Sequence, residues 1–358
     1  MRTFFAERPW MWWIVGLVVA VIAAILPLLA LDIPGVLPGP TYTPGTLQVL
    51  ALALLFSSLA LSYHLLFGTA GLLSFGHALY FAIGAYGLGI VLDRTDLTLL
   101  PAMGIVLAGA IVVAYLLGSL SLRVTGIAFA MVTLAFAQAG NVLVRRNPSI
   151  TGGEEGLRLD TEHVPDFLVG VLNTRNLYWL ALALLVVVFV IVTVFEQSRA
   201  GHVAAAVREN ELRVRVLGLR PFVVKLVAFV LASALAALVG MVHLLLQSGA
   251  APRATSADFT LTLLVIVVLG GVGSRWGAVV GAIVYTLLDQ RLTALAGSDV
   301  IAGLPDVLRI PLSEPLFILG TLFILVVLFL PGGIAGAVRR IGVTRPTTSA
   351  RDRIEEAD

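Results

Sequence analysis

The chain has no cysteine, a single lysine and charged side chains at only 12% of its positions. Without cysteine there is no disulfide, no thiolate metal site and no cysteine nucleophile, and redox usage says nothing of compartment. The one lysine, Lys225, sits in Val-Val-Lys-Leu rather than Gly-Lys-Ser/Thr, so the chain carries no Walker-type phosphate loop. Scarcity of charge excludes a soluble globular domain. With 59% hydrophobic residues and a mean hydropathy of +1.02, such a domain would expose far more apolar surface than water tolerates. Metal and acid–base chemistry have little to work with. The five histidines, His64, His77, His163, His202 and His243, form no HxxH or HxxxH pair, and no two carboxylates face each other within an apolar run.

What is present is long apolar runs, continuous rather than alternating, which favour helices over a β-barrel. They predict an all-α polytopic membrane protein with about ten transmembrane segments, some discontinuous, at 11–31, 46–63, 72–92, 100–121, 125–143, 177–195, 225–246, 259–271, 277–290 and 313–330. The first begins at Trp10, Trp12 and Trp13, an interfacial anchor, and no A-x-A site follows it, so it reads as an uncleaved helix rather than a signal peptide. The run from 259 to 290 exceeds one span and carries Arg275 in its middle; an arginine at bilayer depth is costly, so the run splits into two segments meeting near the surface.

Ten crossings put both termini on one side. That side, with the turns at Arg123 and Arg275 and the stretch 196–225, holds 15 of the 23 basic residues, so the positive-inside rule predicts it to be cytoplasmic. On the other side, residues 144–176 are long enough for a small folded lid, and 291–312 look irregular with Gly297, Gly303, Pro305 and Pro311. The expected division is a membrane domain over 1–335 and a polar, disordered tail over 336–358.

Three stretches could carry function. The first is 196–225, the one substantial charged helical stretch, with acid-first i,i+4 pairs Glu209–Arg213 and Glu211–Arg215 and with Val203, Val207 and Val214 as an apolar side. Gly218 and Pro221 mark its stop. Charge pattern alone leaves two readings open: a helix holding anionic headgroups, or one docking into a groove on a cytoplasmic partner. The second is Gly68-Thr-Ala-Gly71-Leu-Leu-Ser74-Phe-Gly76-His77, where dense glycine serves either tight packing or a discontinuous helix beside a translocation path, with Ser74 and His77 as the nearby polar groups. Gln138, Asn141 and His243 are further polar residues in or near spans, and Gln138 is counted with the path. The third places Gly273, Gly277 and Gly281 four apart, a smooth stripe for helix packing or for a second membrane subunit.

Taken together, FGTAGLLSFGHALYFAIGAYG (67–87), LRVTGIAFAMVTLAFAQ (122–138), ITGGEEGL (150–157), SRAGHVAAAVRENELRVRVLGL (198–219) and VVLGGVGSRWGAVVGA (267–282) resemble the LivM-type permease subunits of ATP-binding-cassette importers, the branched-chain amino acid transporter family. The resemblance covers about 45–335. One departure is Thr69 in Gly-Thr-Ala-Gly, where many relatives carry an aromatic or another apolar residue. The ITGGEEGL loop looks more like amino-acid permeases than urea and amide permeases.

The resemblance implies a multi-pass subunit of the bacterial plasma membrane that is not itself an enzyme. It binds no cofactor, ATP being used by its partners. Those would be a second similar permease, two cytoplasmic ATP-binding subunits and an extracytoplasmic solute-binding protein, with membrane lipid around them and no nucleic acid. It also implies that 198–219 couples to the ATPase, with Gly201, Ala205, Arg208, Glu209, Asn210, Glu211, Arg213 and Gly218 as the coupling residues; the candidate translocation path, read from the glycine-rich stretch itself, is Gly71, Ser74, Gly76, His77 and Gln138. The competing readings are a permease of a urea or amide importer, an ion-coupled secondary transporter and, least supported, a membrane-embedded enzyme.

Overall fold

A computed structural model describes residues 10–32, 37–296, 314–329 and 332–336. Arg2, Arg8, the side chains of the tryptophan anchor, most of the 291–312 connection and nearly all of the tail lie outside these residues.

A helix stands at each of the ten expected positions. They are α1 (Trp10–Ile25), α2 (Pro44–Tyr63), α3 (His77–Arg94), α4 (Leu99–Ser121), α5 (Ile127–Arg146) and α6 (Thr174–Gln197), then, after the charged helices α7 (Arg199–Glu209) and α8 (Glu211–Val216), α9 (Pro221–Gln247), α10 (Ala257–Gly270), α11 (Arg275–Ala296) and α12 (Pro315–Phe329). Six are long and apolar enough to cross a membrane by length and composition: α2 with its continuation to Thr69, α4, α5, α6 with its preceding turn, α9 and α11. The chain is thus an all-α, multi-pass membrane protein. Among the described residues, strand is confined to β1 (Leu157–Arg158) and β2 (Gly249–Ala250), which pair antiparallel and tie the 144–176 connection to the end of α9.

The bundle is centred on α9, which packs on α3, α4 and α2. In a membrane, water does not drive helices together, so close packing of small residues has to do it. At two crossings the backbones touch. A β-carbon on Gly84 would collide with the carbonyl of Ala237, and one on Gly240 with that of Phe81. The hairpin α10–α11 is closed the same way, Gly270 against Gly277 and Gly281 against Ile266. Gly273 does not belong to this stripe. It sits in the turn before α11 at φ +91°, a conformation that suits glycine. The periphery shows the opposite pattern. On α4, Leu99, Ala102, Val106, Ala110, Ala114 and Gly118 face inward at i, i+3/i+4 spacing, while Leu100, Ile105, Val112 and Leu116 point out to lipid.

The expected segment 72–92 begins later than its hydropathy suggests. Residues 70–76 leave the helix, and α3 starts at His77. Hydropathy registers how apolar Leu72, Leu73 and Phe75 are, and not that Gly71 takes φ +70°.

Gly84→Val should lower the midpoint of thermal unfolding of the detergent-purified protein, by an overpacking cost of about 1–3 kcal/mol. Gly104→Val on α4, where an added β-carbon meets nothing within 4 Å, should leave it unchanged; fluorescence-detected size exclusion after heating compares the two.

Candidate functional site

A chain that leaves a helix in a buried place leaves backbone groups without intrahelical partners, and each must find one within the protein. The interruption after α2 shows how this chain meets that demand. Tyr63 closes α2, and His64–Thr69 continue as a π-helical turn. Ala70 N–H and Leu72 N–H still reach back to Leu65 O and Leu66 O at 3.2 and 3.0 Å. From there side chains take over. The Tyr63 hydroxyl donates to Ser74 O (3.1 Å), and Gly76 N–H donates to Ser74 Oγ (3.2 Å). Thr133 Oγ1 of α5 accepts from Phe75 N–H and Thr260 Oγ1 of α10 accepts from Ala78 N–H, both at 3.1 Å. Gly76 lies so close to α5 that a β-carbon there would stand 2.6 Å from Thr133 O. His77, fully buried at the head of α3, sits 2.9 Å through Nε2 from Ser62 Oγ, with the Tyr63 ring edge-on to it.

The charged stretch 196–225 does not form one helix. Ser198 caps α7, its Oγ accepting from Gly201 N–H at 3.2 Å. Asn210 then turns extended (φ −158°, ψ 98°) and caps α8, its Oδ1 accepting from Arg213 N–H at 2.9 Å. This break corrects one expected pair. Glu209 ends α7 while Arg213 lies in α8, so the two are no longer one turn apart on a continuous helix, and both are exposed. The other pair forms. Arg215 donates to Glu211 at 2.5 Å, and Lys225 of α9 reaches the second carboxylate oxygen at 2.5 Å. Val207 and Val214 are buried and Val203 is half-buried. Gly218 ends the segment at φ +78°.

The two stretches meet. Arg208 of α7 donates through Nη1 to Gly68 O, capping a carbonyl of the π-turn. Its stem lies against Gly71, where a β-carbon would be 2.7 Å from Arg208 Cγ, and its guanidinium comes within reach of the 271–274 turn at Gly273. Two cavities, of about 590 and 520 Å³, open on either side of Arg208. Beside it Glu196, the last acid of α6, gathers three elements. Its Oε1 accepts from His64 Nε2 (3.0 Å) and Thr69 Oγ1 (2.8 Å), and its Oε2 pairs with Arg275 Nε at 3.0 Å. Gly201 keeps α7 close to this knot, with no room for a side chain against Phe195 O and Glu196 Cα.

Several residues expected in the site thus come together: Gly71, Ser74, Gly76 and His77 in the interruption, Gly201 and Arg208 against it, Asn210 and Glu211 in the cap and its ion pairs. Ala205 lines the smaller cavity. Gln138 is not among them. It is exposed, and Thr133, on another face of α5, makes the contact instead. Asn141 donates to Thr255 Oγ1 at 2.7 Å, and His243 packs against Phe56 and Phe81. Sequence reasoning missed Glu196 with His64 and Thr69 as its partners. The only signal was an acid placed directly at the end of an apolar run.

The family described as "Branched-chain amino acid transport system / permease component" matches residues 45–344, which include the interruption, the charged stretch and the α10–α11 hairpin. The chain belongs to that family. It is 29% identical over 277 residues to the high-affinity branched-chain amino acid transport system permease protein LivM of Escherichia coli K12, a match covering 69% of this chain and 64% of that relative, just under two thirds of the relative's length. It is 27% identical over 318 residues to the probable branched-chain amino acid transport permease protein LivM of Methanocaldococcus jannaschii, covering 78% and 90% of the two chains. The permease protein LivH of E. coli K12 is 24% identical over 304 residues, with 78% and 91% covered.

Removing the Glu196 carboxylate leaves Arg275 and His64 without their acceptor. Glu196→Ala is expected to destabilise the protein by about 1–3 kcal/mol and to raise hydrogen exchange across 199–209, with Glu196→Gln intermediate; unchanged exchange there would remove the knot from the account. At Glu211, partial burial pushes the carboxyl up, but hydrogen bonds from Lys225 and Arg215 outweigh it and hold it below the usual carboxylate range. A depressed acid stabilises the fold above its unfolded value of about 4.3, and that contribution is lost as pH falls through the folded value. The protection factor in 211–216, taken against the intrinsic exchange rate at each pH, should therefore fall on acidification below that range, and Glu211→Gln should abolish this pH dependence.

Proposed function

We propose that this chain is the permease subunit of an ATP-driven importer that moves branched-chain amino acids or similar small polar solutes inward. It works with a second, similar permease, two cytoplasmic ATP-binding subunits and an extracytoplasmic solute-binding protein. The chain crosses the membrane ten times with both termini and 196–225 in the cytosol, and 144–176 lies outside. Bond chemistry belongs to the partners, since the sequence carries no Walker loop.

The single observation that carries the reading is the Arg208–Gly68 contact, which joins the charged segment to the buried connection between α2 and α3. Force applied to α7 and α8 would reach the interruption directly through Arg208 and, by way of the end of α6, through Glu196. The cavities flanking Arg208 give the segment room to move. Glu209 and Arg213, both exposed, are free to meet a partner's groove. In the interruption, His77 Nδ1 is buried with no hydrogen-bond partner among the described residues. A polar solute passing Ser74 and His77 would satisfy it in an open state.

Reconstituted with its ATPase, permease and binding-protein partners, the double charge reversal Glu209→Lys/Arg213→Glu should abolish solute-stimulated ATPase activity and uptake while membrane insertion stays normal. Normal uptake by this variant would overturn the coupling role. Uptake by the purified chain alone, driven by an ion gradient, would overturn the importer reading.

A further inference from the structure

The connection before α6 carries a feature that the permease reading does not use. Its last part, residues 165–173, turns three large apolar side chains outward: Phe167 is 59% exposed, Val171 71% and Leu172 96%. Such exposure at the tip of a polar loop in water would be costly. Side chains of the loop also cover several of its carbonyls. Asn173 Nδ2 donates to Asp166 O and Val169 O at 2.8 and 2.7 Å, Asn176 Nδ2 donates to Phe167 O at 2.8 Å, and Thr174 Oγ1 donates to Val171 O at 2.6 Å. Leu168, Val169 and Asn173 N–H groups close short turns of their own. The carbonyls of Asp166, Phe167, Val169, Gly170 and Val171 are thus satisfied internally while apolar side chains are presented outward, an arrangement that suits a bilayer better than water.

The position of the loop identifies its occupant. Val171–Gln197 is a candidate span, so the loop lies at the head of a membrane helix, at the end opposite the 199–216 segment. One turn in, Arg175 stacks on Trp179 with its guanidinium carbon 5.2 Å from the ring centre, a pair suited to the headgroup level. Trp179 Nε1 and the Tyr178 hydroxyl donate to Ala24 O and Ala23 O, fixing the loop beside the end of α1, where Leu28 and Leu31 are also exposed. Below, Val187, Val190 and Val194 form an outward apolar stripe on α6 that the tip extends. We propose that Phe167, Val171 and Leu172 form a wedge inserted into the lipid leaflet at the head of α6, anchoring the 144–176 connection to the acyl boundary. The Asp160–Glu162 part of the same connection stays in water.

The absence of cysteine allows a direct test in the full chain. Leu172→Cys and, separately, Glu162→Cys are labelled with a nitroxide and reconstituted in vesicles of phosphatidylcholine and phosphatidylglycerol. Collision with oxygen, which partitions into lipid, and with a water-soluble nickel chelate is then measured. The wedge predicts an oxygen-to-nickel accessibility ratio at 172 several-fold above that at 162. Equal ratios would place the tip in water and overturn it. Shielding of 172 from both reagents would mean that protein covers the tip, a second copy or a soluble partner, and would overturn it equally. Val171→Cys provides a second reporter should the first variant fail to insert.

Discussion

The interruption between α2 and α3 constrains the rest of this structure. Backbone N–H and C=O groups released in a buried connection find little water, and leaving one unpaired costs more than most single contacts return. Here they are met by Tyr63, Thr133, Thr260 and Arg208, which come from the end of α2, from α5, from α10 and from the charged segment. Each closes a specific backbone group, so the four elements are held in register by the break itself. The interruption is a junction, and the helices around it cannot slide independently without exposing a donor or acceptor.

The charged segment is organised by caps more than by its i,i+4 pattern. Ser198 and Asn210 each begin a helix, and Asn210 divides what periodicity alone would run together. The division has a mechanical consequence. Glu211 anchors α8 to Lys225 at the start of α9, while Arg208 and Gly201 anchor α7 to the π-turn and to the end of α6. The segment therefore grips two parts of the bundle through two short rigid pieces joined at Asn210, with cavities beside the first grip.

Close approach and lipid exposure divide the remaining helices. Where Gly84 meets Ala237 or Gly281 meets Ile266, backbone lies on backbone and dispersion does the work that water does in soluble cores. On α4 and α6 the outward valines, leucines and isoleucines remain exposed, as a lipid solvent allows. The tip at Phe167–Leu172 extends that exposure past the helix into a loop whose carbonyls are already capped.

The sequence by itself determined roughly where the apolar helices lie, that the protein is a multi-pass membrane protein and that it belongs to a permease family. Transfer cost and helical periodicity act between near neighbours, so runs of Leu, Val and Ile and the Asn and Gly punctuation around them carry that information locally. It could also show that glycines cluster at 68–76 and 270–281, but not what each cluster is for. Only the tertiary structure decided that Gly277 and Gly281 close a hairpin while Gly273 turns a corner, that α3 begins at His77, and that Thr133 rather than Gln138 meets the break. Glu196 shows the reason most clearly. Its partners His64 and Arg275 lie in chain segments far from it, brought within 3.0 Å by folding. No local pattern encodes such a contact, because its energy depends on which surfaces the packed helices bring together.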